Sequence, residues 1–172
     1  TNGDTLDLTG VTADLTIDLT SFDPEAGSVT DGTNSAYFQE IENIILGSGN
    51  DTIVLADGSG DDVVGGFTAP TPDGDGTYTG TDMLDVSSLT NANGDPVNVN
   101  DVTVTNDGAG NAVLSFPNGE SITLLGVSPV LLANPFALNA IGIPLSDGTV
   151  EGTAGDDIID GSCSSVEFIW IV

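Results

Sequence analysis

The chain contains no lysine, no arginine and no histidine. Against that stand 27 aspartates and glutamates, for a formal net charge of −27. Average proteins are about a quarter charged, with both signs represented, so chance does not explain the absence. It removes several functions together. No side chain can neutralise a phosphate, which excludes nucleic acid and anionic membrane as direct partners. Without histidine no Ser-His-Asp or Cys-His catalytic arrangement can form. The single Cys163 excludes a disulfide framework and reads as an incidental thiol. No apolar run reaches the roughly 18 residues of a membrane span. No signal peptide is recognisable, but Thr1-Asn2-Gly3-Asp4 reads like the middle of a repeat, so this says little about export.

What is present is not the composition of a disordered acidic tail. Hydrophobic residues make up 38% and mean hydropathy is positive. A compact chain with this charge repels itself, so the missing positive charge is expected from solution. Carboxylate and carbonyl oxygens are hard ligands, and calcium is the natural ion for them. Glycine is abundant at 23 residues, and 21 of the acids are aspartate. Both favour turns. The frequent Thr, Val, Ile and Leu favour strands.

Along the chain, Leu6, Leu8, Leu15, Ile17 and Leu19 alternate with polar residues, a strand pattern. Residues 21–36 read as a Gly/Ser/Asp loop. Two similar stretches follow: Leu46-Gly-Ser-Gly-Asn-Asp-Thr-Ile-Val54 and Asp57-Gly-Ser-Gly-Asp-Asp-Val-Val-Gly65. Gly47, Gly49 and Asp51 have the same spacing as Gly58, Gly60 and Asp62, with Ile53 and Val64 two places after each aspartate. Weaker copies are Gly80-Thr-Asp82-Met-Leu84, Gly152-Thr-Ala-Gly155-Asp-Asp157-Ile-Ile159 and Asn2-Gly3-Asp4-Thr5-Leu6. Such a unit gives a turn followed by a short strand. The turn aims carbonyls at a cation, the aspartate adds a carboxylate, and the apolar residue enters a narrow core. One unit cannot bury its face alone; stacked units can.

Residues 67–80 read as a long turn, whose Asp73-Gly-Asp75-Gly run is a solvated loop or a further ion site. Residues 97–127 read as a β-meander with strands over 97–105, 112–116 and 121–127. Ser128-Pro129 and Asn134-Pro135 predict two short helices, each with an N-cap before a proline. Val130, Leu131, Leu132, Phe136, Leu138 and Ile141 would then cap the sheet. The apolar tail 162–172 is expected to be a strand that pairs with the body or with another chain.

The glycine–aspartate nonapeptides resemble the calcium-binding repeats of RTX proteins, G-G-x-G-x-D-x-U-x. The wider chain resembles the serralysin-type β-roll region through Asp4–Asp14, Ile41–Ile53 and Phe116–Val127. The resemblance implies an all-β fold: a right-handed parallel β-roll with an appended β-meander or capping region and one or two short helices. It divides the chain into a roll at 1–66, a loop at 67–80, a capping region at 81–145, the start of another repeat at 146–161 and the tail. It implies several calcium ions, with carboxylates from Asp51, Asp62, Asp82, Asp157 and Asp4, carbonyls from Gly47, Ser48, Gly49, Gly58, Ser59 and Gly60, and Asn50 and Asp61 within the same turns. It also implies type I secretion and an extracellular or cell-surface location. The serralysin protease domain and its zinc motif are absent. Position one of the repeat is Leu46 or Asp57 in place of glycine, and the two good repeats are spaced by eleven residues in place of nine. The expected function is a non-enzymatic calcium-binding structural module. The alternative is a calcium-dependent adhesin that binds polysaccharide, or a filament subunit that self-associates through residues 166–172.

Overall fold

The computed structural model describes residues 3–21 and 23–146. The chain winds between two facing sheets, because each short strand carries apolar residues on one face only. Strands β1 (Thr5–Asp7), β5 (Asn43–Ile45) and β7 (Asp61–Gly65) lie parallel in the first sheet. Strands β2 (Thr16–Asp18), β6 (Thr52–Ala56) and β10 (Met83–Ser88) lie parallel in the second. The chain visits the sheets alternately, β1 to β2, β5 to β6, β7 to β10. This is a parallel β-roll.

Its core is one side chain deep from each sheet. Ile17, Ile53 and Leu84 face Ile44, Val64 and Leu124, all nearly or fully buried. Each fully buried aliphatic side chain contributes roughly 1.5–3 kcal/mol. Because β6 has five residues, the second repeat starts late, which accounts for the eleven-residue spacing.

Three insertions decorate the roll. Residues expected as a loop form a hairpin, β3 (Gly27–Thr30) and β4 (Ser35–Phe38), which extends the second sheet antiparallel from β2. The buried Val29 explains the hairpin: it continues the row of Ile17 and Ile53. The expected long turn at 67–80 contains a small hairpin, β8 (Thr71–Pro72) with β9 (Tyr78–Thr79). The meander is β11 (Thr103–Asn106), β12 (Ala112–Ser115) and β13 (Ser121–Leu125). Its first strand is shorter than the alternation over 97–105 suggested. Val97 and Val99 are buried outside any strand, the Val99 amide donating to the Pro144 carbonyl.

The roll does not end at residue 66. β10 lies parallel on β6, and β13 lies parallel on β7. Only β12 and β11 continue the first sheet antiparallel. A 3-10 helix (Pro129–Leu132) and α1 (Pro135–Ala140) follow. Asn134 caps α1 by accepting from the Phe136 amide (2.8 Å), whereas the Ser128 side chain makes no cap bond. Leu132, Leu138 and Ile141 are buried as expected; Val130, Leu131 and Phe136 face solvent. The segment after α1 covers the free side of β10, with the Leu84 amide donating to Ile141. A Cβ on Gly80 would lie 2.0 Å from the Ala140 carbonyl oxygen, so glycine is required for that contact.

Candidate metal centre

The turns of the roll form two stacks. The first holds the turns that leave the first sheet: 8–15, 46–51 and 66–82. The second holds the turns that return to it: the loop bearing the β3–β4 hairpin, 57–60, and the long segment bearing the meander.

In the first stack, acid and apolar residue sit two apart at a strand start, so alternation puts both on the inner face. Asp51 and Asp82 stand side by side, one residue before the paired Thr52 and Met83. Both are 1% exposed. The Leu15 amide donates to Asp51 Oδ1 (2.9 Å). The Asp51 and Thr68 amides donate to the two oxygens of Asp82 (3.0 and 2.6 Å). Asp51 Oδ2 is buried without a partner. Burial pushes the Asp51 carboxyl up; the Leu15 amide opposes this, and the charges of Asp82 and Asp14 add to it. The place beside Asp51 on the other side belongs to Leu15, so the row is capped by an apolar residue. Asp14 lies on the surface, accepting from the Asn50 amide (2.8 Å). Gly47 and Gly49 are demanded by stacking. A Cβ there would lie 2.2 Å from the Val11 carbonyl oxygen and 2.3 Å from that of Ala13. Ser48 adds an amide bond to Val11 (3.0 Å).

In the second stack, the row one residue before the paired Thr5, Asn43 and Val63 is Asp4, Glu42 and Asp62. Asp4 is exposed, and its amide donates to Glu42 Oε2. Asp62 is only 6% exposed, and its Oδ2 has no partner. Burial, with the neighbouring Asp61 charge, raises its carboxyl to about 7. Asp61 itself faces outward and accepts from the Ser121 hydroxyl (2.7 Å). Adjacent strand residues point to opposite faces, so of this pair Asp62 is the one whose side chain turns inward. Gly58 and Gly60 have φ of 95° and 88°, the left-handed region that favours glycine. The Ser59 hydroxyl ties this turn by donating to the Leu19 carbonyl (3.0 Å) and accepting from the Ala56 amide (2.9 Å). Against burial, Asp57 is held below the usual carboxylate range by the Thr90 hydroxyl and amide and by Asn118.

Two acids that the glycine–aspartate search passed over belong to these rows. Glu42 lies between Asp4 and Asp62. Glu120 stands at the start of β13, 5% exposed, with Oε1 accepting from the Gly58 amide (2.6 Å) and Oε2 unpartnered. The signal was an acid two places before a core residue, as in Glu42-Asn-Ile44 and Glu120-Ser-Ile122, with glutamate allowed. Asp157 lies outside the described residues.

These groups fit a hard cation. Among the described residues three buried carboxylate oxygens lack any partner, and the chain has no cationic side chain to supply one. An uncompensated buried carboxylate costs several kcal/mol. Among the described residues no three His, Cys, Asp or Glu side chains converge, so a site here must take most of its ligands from backbone carbonyls. Among the same residues no helix is long and apolar enough to cross a membrane.

A two-sheet parallel roll with inward acids at its turns defines a β-roll of the repeat-bearing calcium class. The profile of the family Peptidase M10 serralysin C terminal matches residues 1–146. The chain belongs to this family, the RTX β-roll region of serralysin-type proteins, and the matched region is not the catalytic domain. No curated protein matches the chain.

Proposed function

We propose that this chain is a calcium-dependent structural module of a secreted or cell-surface protein, ordered by calcium after export. The observation that carries the reading is the set of buried, unpartnered carboxylate oxygens in a chain without one cationic side chain. Asp51 and Asp62 would hold ions together with carbonyls of their turns, residues 47–50 and 58–61, and Asp82 would orient the first of these turns. When bound, calcium supplies charge neutralisation and a tie between neighbouring turns. Its binding free energy then becomes folding free energy. The module works by being ordered or not, without a reaction of its own.

The test is circular dichroism of the whole chain titrated with calcium and with magnesium. Calcium should drive a coil-to-β transition. Equal magnesium should not, since it demands a tighter octahedron and keeps its waters. Full β structure in excess chelator at pH 7.5 would falsify the proposal.

A second reading, a carbohydrate-binding module, has one feature in its favour. A shallow groove of about 660 Å³ on the second sheet is lined by Asp18, Ser28, Gln39 and Tyr37, a residue 88% exposed. An exposed ring beside polar side chains suits a sugar face. A glycan array run with and without calcium tests it; no calcium-dependent signal removes this reading.

A further inference from the structure

Glu120 belongs to no glycine–aspartate repeat. It comes from the meander, 58 residues after Asp62 in sequence, yet β13 brings it to the same end of the same sheet. Asp62 is in register with Ile122, and Glu120 lies two residues before Ile122. Alternation along β13 turns Glu120 to the inner face with the buried Ile122 and Leu124, and Asp62 shares that face with Val64. Each acid is more than nine-tenths buried, and each keeps one oxygen without a partner.

Capping the 57–60 turn explains Glu120 Oε1, which accepts from the Gly58 amide. It does not explain Oε2. A neutral amide side chain would satisfy Gly58 equally well without burying a charge. Two buried carboxylates at one end of adjacent strands are stabilised either by protonation or by a cation beside them, and the protein has no cationic side chain to give.

We infer that Glu120 supplies a ligand to a divalent cation held against the Asp57–Asp62 turn, so that the ion adds a tie between meander and roll beside the β13–β7 pairing. This rests on the calcium reading above and adds to it. The repeats alone do not complete the site; a residue from the inserted segment does. Ion binding thereby reports that β13 has joined β7, and the roll and its cap order together.

The experiment counts calcium ions on the full chain by native mass spectrometry and measures their affinities by calorimetry. Glu120→Gln keeps the length of the side chain and the acceptor for Gly58, so a purely capping role predicts wild-type binding. The inference predicts that one ion is lost or weakened at least tenfold, the others staying unchanged. Asp62→Asn should affect the same ion, and the double variant should lose no second one. Should Glu120→Gln fail to fold at saturating calcium, the measurement passes to Glu120→Asp, which retains the charge on a shorter arm. One weakened ion then supports the inference, and wild-type affinity overturns it. A wild-type chain that binds while Glu120→Gln titrates identically overturns this inference alone. A wild-type chain that binds no calcium overturns the broader reading as well.

Discussion

The two turn stacks solve the same problem differently. In the first, the backbone satisfies most of the acid oxygens: amides take both oxygens of Asp82 and one of Asp51, leaving a single Asp51 oxygen unpartnered. Its turns touch backbone to backbone, with Gly47 and Gly49 against the carbonyls of Val11 and Ala13. In the second, Asp62 and Glu120 together leave two buried oxygens unpartnered, and its tight turn is closed by left-handed glycines and a serine hydroxyl. The first stack is held by close packing that tolerates no added atom at Gly47, Gly49 or Gly80. The second is arranged around charge that must come from outside.

The largest expected effect tests the packing side of this contrast. Gly47→Ala places a Cβ on a carbonyl oxygen that has neighbours of its own and cannot yield cheaply. Its loss should be about 3 kcal/mol or more, read as a thermal midpoint far below wild type even in saturating calcium. A near-wild-type midpoint would mean that the turns are not stacked this closely.

Protonation tests the charge side. The Asp62 carboxyl lies at about 7 in the folded chain, far above its ordinary value. The folded state therefore holds the proton more tightly than the unfolded state between roughly pH 4 and 7, and stability falls as pH rises through that window. That difference corresponds to roughly 4 kcal/mol. In chelator, β structure should thus increase as pH is lowered from 7.5 to 5. Below that, groups such as Asp31, held at about 2 by the amides and side chain of Asn34 and the amide of Thr33, act in the opposite direction. For these, stability is lost as pH falls through the folded value. A flat profile in chelator between pH 5 and 7.5 would deny Asp62 its buried charge. Asp62→Asn should abolish most of the pH response and raise the calcium midpoint about tenfold.

A smaller effect is expected at the second stack's own glycine. Gly58 has open space around its Cβ position and only its positive φ to defend. Gly58→Ala should cost about 1–2 kcal/mol, less than Gly47→Ala in the same denaturant titration. Equal losses would erase the distinction between the stacks. The smallest effect belongs to Asp107→Ala. Asp107 is exposed and bonds only within its own meander turn, to Ala109 and Asn111. The calcium midpoint should stay at the wild-type value; a clear shift would place an ion where the roll has none.

Reading the chain by spacing found the strands of the roll, the core residues Ile53 and Val64, and the aspartates 51, 62 and 82 that the fold buries. Glu42 and Glu120 escape that spacing because neither is an aspartate set after paired glycines. The physical requirement is broader: any acid two places before an inward apolar residue. Spacing also missed the β3–β4 hairpin, whose β4 residues Ser35, Ala36 and Tyr37 are all exposed, so only Val29 marks an inner face there.

Local chemistry was enough to decide that this chain would turn at Gly-x-Gly-x-Asp, run a short strand and bury one residue in two. Strand alternation, and at Gly58 and Gly60 glycine's freedom at positive φ, act within a few residues and need no partner. The absence of every basic side chain likewise left positive charge to be found elsewhere. Which acids become neighbours could not be read locally. That depends on register between strands far apart in sequence: β13 beside β7 brings Glu120 to Asp62, and β2 beside β6 puts Leu15 where another aspartate could have stood. Stacking alone decides whether a carboxylate meets an amide, a leucine or another carboxylate, because only stacking removes the water that would otherwise have served it.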